Sequence, residues 1–258
     1  MYKKGDKYLV NKYRPISLLN VFDKVLEKKL MYSRLYSYLS AKHILCNYQF
    51  GFRANHSTYL ALNNLLDEIY EHIDNRDKII GVYLDLQKAF DTIDHNVLLF
   101  KMNRIGIRGI VYEWFKDYLT NRRQYVTANG LNSDINSIKC GVPQGNVLGP
   151  LLFLLYVNDI GNCVPHTPVK LYADDTDVFI HGKMIHNLML DAEMCIAKLS
   201  KWFSDNKLSL SIDKTCYSTF GMTDCTRKNI QLILNNTAIK PVESTKYLGI
   251  IIDSNLTY

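Results

Sequence analysis

The chain has 258 residues, with 31 lysines and arginines against 25 aspartates and glutamates, for a formal charge of +6. Hydrophobic residues make up 47% and charged residues 22%, which excludes a disordered chain; only 13 glycines and 6 prolines exclude collagen-like and linker-like classes. The positive surplus permits a nucleic-acid partner without requiring one.

At the start, no apolar stretch follows Lys3 and Lys4, so a signal peptide is not expected. The most apolar run, 147–157, is broken by Gly149 and Pro150, and it falls short of the ~18–20 residues that cross a bilayer. No membrane association is expected. Six cysteines without a CxxC pair argue for reduced thiols and an intracellular compartment.

Four lysines in the first twelve residues read as a loose lead-in. Apolar residues at three- and four-residue steps predict a helix over 16–39, through Leu18, Phe22, Val25, Leu26, Leu30 and Leu35, and another over 58–73. The period then changes: Ile80, Val82 and Leu84 alternate up to Asp85, a buried strand. Helices over 97–105 and 110–119 precede short strands near 124–127 and 135–138. After an apolar helical run at 150–160, strand 169–173 meets Asp174-Asp175 and resumes at 178–180, which places the acidic pair at a hairpin tip. A long amphipathic helix over 185–206 and short tail strands complete an α+β pattern, with the sheet covered on one face.

The two acidic sites, Asp85 and Asp174-Asp175, each end or turn an apolar strand. On neighbouring strands they would converge. Clustered carboxylates repel and raise a pKa, and divalent cations relieve that repulsion; hard oxygen donors suit Mg²⁺. Aspartate also favours turns, so from pattern alone both a metal site and plain turn residues stay open.

The surrounding residues carry a resemblance. Tyr83-Leu84-Asp85-Leu86-Gln87-Lys88-Ala89-Phe90-Asp91 comes first, then Gly141-Val142-Pro143-Gln144-Gly145-Asn146, then Tyr172-Ala173-Asp174-Asp175. Tyr13-Arg14-Pro15 and Gln49-Phe50-Gly51-Phe52-Arg53 precede them; Leu208 to Thr215 and Tyr247-Leu248-Gly249 follow. In this order, over roughly 10–253, the chain resembles the reverse transcriptases of non-LTR (LINE-type) retrotransposons. Asn146 stands where that pattern has serine, and little sequence remains beyond the last motif for a thumb.

The resemblance implies an RNA-directed DNA polymerase of right-hand architecture, with an antiparallel palm sheet backed by helices and the thumb largely absent. Fingers would span about 1–80 and 106–140, and palm about 81–105 and 141–258. Asp85, Asp174 and Asp175, with the Leu86 carbonyl, would hold two Mg²⁺ ions, Mn²⁺ being the alternative. Lys214 would protonate the leaving pyrophosphate, although a lysine there also suits a solvated turn. Arg14 and Arg53 would bind the triphosphate, and Phe90 would exclude a ribose 2′-hydroxyl. Pro143, Gln144 and Gly145 would contact the incoming nucleotide, and Tyr247-Leu248-Gly249 would grip the primer. Arg14 and Phe90 suit packing equally well, and Tyr247 a buried strand. The implied partners are an RNA template, a DNA primer and deoxynucleoside triphosphates, with a nuclear location. A catalytically weak copy that retains nucleic-acid binding is the alternative function, and an RNA-directed RNA polymerase the other; Phe90 disfavours the latter.

Overall fold

The computed structural model describes residues 2, 6, 8, 9, 13, 16–128 and 130–257. Arg14 lies outside the described residues, as does much of the expected lead-in. In chain order, α1 (Val21–Val25) runs through a π-helical stretch (Leu26–Tyr32) into α2 (Ser33–Ala41), and α3 (Thr58–Asp74) leads to β1 (Lys78–Leu84). Helices α4 (His95–Arg104) and α5 (Gly109–Thr120) follow. Four two-residue strands come next, β2 (Arg123–Gln124), β3 (Thr127–Ala128), β4 (Leu131–Asn132) and β5 (Asn136–Ser137), before α6 (Leu148–Val157). The hairpin β6 (Val169–Tyr172) and β7 (Asp175–Gly182) precedes α7 (Ile185–Asp205), β8 (Cys216–Phe220) and α8 (Asp224–Lys228). The tail holds β9 (Ile233–Leu234), β10 (Thr237–Ala238), β11 (Lys240–Pro241), β12 (Ser244–Tyr247) and β13 (Ile250–Asp253).

The chain divides into two compact units. The first comprises 1–45 and 88–156. It is mainly helical, and its sequence signals are clear: Asp94 accepts from Val97 N at 3.0 Å and starts α4 as an N-cap should. α6 is apolar on every side and buried apart from the half-buried Pro150, the pattern of a helix with no solvent face. The expected helix over 16–39 begins only at Val21, where Asn20 caps it. Leu18, Phe22 and Val25 stay exposed, whereas Glu27 in the π-helical stretch is buried.

The second unit comprises 46–87 and 157–258 and is built on a five-stranded sheet of order β11-β8-β1-β7-β6. β1 pairs antiparallel with β7 and β8, and β7 pairs antiparallel with β6. Among the described strands of this sheet the edge pair β11–β8 is parallel and the rest are antiparallel, in keeping with the antiparallel sheet expected. The departure is in coverage. Ile79 to Leu84 are all buried, because the strand is apolar almost without interruption, the composition of a strand packed on both faces rather than one. On one face Ile79, Tyr83, Phe179 and Phe220 join Leu62, Leu65 and Ile69 of α3 and Tyr247 and Ile252 of the tail hairpin. Gly81 makes room there: a Cβ at this position would stand 2.7 Å from the Phe179 ring.

Candidate active site

In the second unit the sheet brings the expected carboxylates to one edge. Leu84 pairs with Thr176 across β1 and β7, so the next residues outward on the two strands are Asp85 and Asp175. Asp174 precedes Asp175 in the two-residue turn between β6 and β7, which Tyr172 and Asp175 close. Crowding by surrounding protein, then the charges of Asp174 and Asp85, push Asp175 up to about 6, while Lys214 pulls the other way. Asp175 keeps solvent access, so the like charges are the cause that bears on cation binding. Asp174 and Asp85 thus repel the Asp175 carboxylate, and oxygen donors of this kind are what a hard divalent cation takes.

Lys214 Nζ donates to Asp85 Oδ1 at 2.8 Å. An antiparallel bridge sets this pair: Gln87 N donates to Ser209 O and Ser211 N to Asp85 O, each at 2.8 Å, and Lys214 N donates to Ser211 O at 3.1 Å in the turn that follows. The two bridge bonds leave Leu86 at the non-hydrogen-bonded position opposite Leu210, so the ladder does not use its carbonyl oxygen. That is the carbonyl expected to complete a ligand set.

The hairpin turn is held by a residue that the sequence did not single out by chemistry. Gln49 is buried, and its Oε1 accepts from Gly51 N at 2.7 Å and Ala173 N at 3.1 Å. Around it, Phe50 N donates to Leu171 O and Leu171 N to Tyr48 O, each at 2.8 Å. The segment is thus zipped along β6. Ala173 adopts φ 58°, a left-handed conformation that costs a non-glycine residue about 1–3 kcal/mol. Gly51 permits the close approach: a Cβ would lie 2.3 Å from Ala173 N. The signal was present, since Gln49 and Gly51 belong to a motif that the resemblance quoted.

Arg53 is half-buried, with Nη1 donating to Cys46 O at 2.6 Å and Gln49 O at 3.3 Å. It ties down its own loop through one nitrogen. Tyr247, Leu248 and Gly249 form the tight turn of the β12–β13 hairpin, with Tyr247 opposite Ile250 and positive φ at Leu248 (47°) and Gly249 (99°). Tyr247 points into the core and Leu248 packs partly against it.

The first unit gathers the other expected residues. Phe90 lies in a 3₁₀ turn, Ala89–Asp91, with its ring stacked on Phe153 at 4.7 Å. Its carbonyl accepts from Val142 N at 2.9 Å. Gln144 Nε2 donates to Asp91 Oδ1 at 2.8 Å, and Ser17 N donates to Gln144 O at 2.9 Å. Gly141 sits at φ 84°, where a Cβ would meet Asp91 O at 2.6 Å, and Gly145 at φ 96°. The loop 141–145 and the turn 89–91 therefore form one structure.

Asn146 has two partners. Its Oδ1 accepts from Gly149 N at 2.8 Å and its Nδ2 donates to Tyr118 Oη at 2.5 Å. Tyr118 in turn donates to Glu27 Oε1 at 2.7 Å, and Glu27 Oε2 accepts from Val147 N at 3.1 Å. Burial and Glu27 raise the Tyr118 phenol, so it remains the donor. Glu27 and Tyr118 carry no motif signal; only the folded chain joins them to Asn146.

Among the described residues no helix is long and apolar enough to cross a membrane. Residues 2–252 match the family described as reverse transcriptase (RNA-dependent DNA polymerase). The RNA-directed DNA polymerase from mobile element jockey of Drosophila melanogaster is 31% identical over 256 residues, 96% of this chain and 28% of that relative. The probable RNA-directed DNA polymerase from transposon BS of the same fly is 30% identical, covering 95% of this chain and 28% of the relative. The chain thus spans under a third of the length of these curated relatives. Among solved structures, an apo telomerase from Candida tropicalis, truncated from its C-terminal domain, superposes with TM-score 0.60 at 13% identity, over 92% of this chain and 46% of that one. A Candida albicans telomerase bound to a fragment of telomeric RNA gives 0.58 at 12%, over 90% and 38%. That likeness bears on the fold, and it agrees with the α+β polymerase class expected. On a match that runs nearly end to end, this chain belongs to the reverse transcriptase family and is similar to the RNA-directed DNA polymerases of non-LTR retrotransposons.

Proposed function

We propose that this chain is the polymerising part of an RNA-directed DNA polymerase, extending a DNA primer along an RNA template with deoxynucleoside triphosphates. The observation that carries it is that Asp85 and Asp174-Asp175 lie at the same end of neighbouring strands, with Asp175 raised by burial and then by its acidic neighbours. In the reaction the primer 3′-hydroxyl gives its proton to water, its oxygen bonds to the α-phosphorus, and the bond from that phosphorus to the oxygen bridging to the β-phosphate breaks, releasing pyrophosphate. Two Mg²⁺ ions, when bound, supply the charge neutralisation that in-line phosphoryl displacement demands.

The residues divide the remaining work. Asp85 and Asp174, with the Leu86 carbonyl, hold the cations, and Asp175 adds charge beside them. Lys214 carries its proton at Nζ beside Asp85 and delivers it to the pyrophosphate oxygen. Phe90, braced by Phe153, fills the space a 2′-hydroxyl would need. Pro143, Gln144 and Gly145 present a fixed amide and open backbone to the nucleotide, and Arg53, with Arg14, offers guanidinium donors to phosphate. Tyr247, Leu248 and Gly249 hold the primer end. RNA is held through backbone and shape contacts.

Primer extension on an RNA template with Mg²⁺ tests this reading. Wild type incorporates deoxynucleotides, Asp174→Ala loses at least about 10³-fold in rate, and Phe90→Ala admits ribonucleotides. Extension that survives Asp174→Ala, or absence of extension by the wild-type chain, overturns it.

A further inference from the structure

At the opposite end of the same two strands lies a second cluster of metal-ligating side chains, with no part in the chemistry above. His181 is six residues along β7 from Asp175, about 20 Å at 3.3 Å per residue. It pairs with Ile79 of β1. His72 is in the last turn of α3 and Asp77 immediately precedes β1. One ligand atom from each of His72, Asp77 and His181 lies within 4.8 Å of the others. We propose that these three side chains bind a Zn²⁺ ion that clamps the end of α3 and the start of β1 to β7.

Two of the three ligands are already placed. His72 Nδ1 and Asp77 Oδ2 stand 3.0 Å apart, near the ~3.4 Å edge of a tetrahedron with bonds of about 2.1 Å. The connecting turn is locked, since Asp77 N donates to His72 O at 2.8 Å and Arg76 N to Ile73 O at 2.9 Å.

His181 supplies the movable ligand. Its ring stacks on that of His72, with centroids 3.5 Å apart and planes 21° from parallel, and the residue is exposed. Tilting this ring about its own side-chain bonds brings a nitrogen lone pair onto the ion without disturbing the sheet. Burial and the neighbouring His72 lower the His181 pKa, while Asp77, Glu68 and Glu71 act to raise it. Its imidazole is therefore available as a neutral ligand. Asp77 and Glu71 make the surroundings attractive to a cation, whereas Glu68 is paired with Lys170. The nearby Lys78 ammonium is turned onto the Lys183 carbonyl at 2.8 Å.

The donor set selects the metal. Two imidazole nitrogens and one carboxylate, with water as the fourth ligand, is a zinc-type coordination; Mg²⁺ prefers oxygen donors and retains its waters. The palm carboxylates and this cluster would therefore take different ions from one solution. This inference stands apart from the polymerase reading, because its readout is metal binding rather than extension.

Cobalt(II) reports on the site directly. The full chain is titrated with Co²⁺ in excess Mg²⁺, which occupies the palm carboxylates, and the visible ligand-field band of four- or five-coordinate Co²⁺ is followed. One equivalent of band develops, and Zn²⁺ abolishes it. His181→Ala, an exposed substitution, weakens Co²⁺ binding by about tenfold or more while leaving the metal-free melting temperature unchanged. His72→Gln does the same, whereas Asp174→Asn and Cys225→Ser leave the band intact. A band that persists in His181→Ala, or a wild-type chain with no band, overturns the proposal.

Discussion

Asn146 and Tyr118 share a 2.5 Å hydrogen bond from the asparagine amide to the phenol oxygen, while the same amide's oxygen accepts from Gly149 N at 2.8 Å. Serine, the residue that the related pattern carries here, would reproduce the second bond and not the first. Asn146 is therefore a helix cap with an added tether to the buried Glu27 rather than a damaged motif. Asn146→Ser should cost about 1 kcal/mol in denaturant unfolding and keep primer extension. Asn146→Ala loses the cap as well and should cost about 2 kcal/mol. Equal stability of the three proteins would dismiss the network.

Gln49 accepts from two backbone N–H groups that nothing else satisfies in the turn geometry described. Gln49→Ala should orphan both and destabilise the chain by about 2 kcal/mol. Gly51→Ala should be worse, about 3 kcal/mol, because its Cβ meets Ala173 N at 2.3 Å. Both variants move the backbone of Asp174, so extension should fall more than unfolding free energy alone predicts. Measuring rate and stability on the same preparations separates the two losses.

Much of this was legible from sequence for a physical reason. Ile80, Val82 and Leu84 alternate up to Asp85, and the strand 169–172 runs into Asp174; alternation and a polar stop fix strand ends, and strand ends fix the carboxylates. Glu27 was not legible. It sits in a π-helical stretch between exposed apolar residues whose spacing mimics a simple amphipathic helix, so periodicity hid the one buried side chain there. The burial of both faces of β1 was readable from its unbroken apolar run, yet the alternation of helices with hairpin strands suggested cover on one face. Arg53 shows a further limit: the resemblance marks its guanidinium as a phosphate ligand, and the fold also turns it onto the carbonyls of Cys46 and Gln49.

Asp175 couples cation binding to pH. Its pKa is raised to about 6, so a proton competes with the cation below that value and not above it. For the metal-free chain, folding retains this proton, and stability is lost as pH rises from the ordinary carboxylate range, about 3.9, through 6. Mg²⁺ should accordingly raise the melting temperature more at pH 7.5 than at pH 5.5. Asp175→Asn should flatten that difference. A Mg²⁺ shift independent of pH in the wild type would contradict the coupling.

Asp177 lies on β7 opposite Tyr83 and Lys170 and is buried. Burial first, and the charge of Asp175 second, raise its carboxyl well above the ordinary value, so the fold holds it neutral. The unfolded chain releases that proton above about pH 4. Folding must then take a proton back, and stability falls by up to about 1.4 kcal/mol per pH unit between the unfolded and folded pKa values. Asn has the same shape and no proton to recover. Asp177→Asn should therefore match the wild type near pH 4 and exceed it increasingly as pH rises, with extension activity retained because Asp177 is buried within β7, two residues in from Asp175. Urea unfolding across pH 4 to 8 measures the slope directly, and parallel curves for the two proteins would show that Asp177 is ionised in the folded chain.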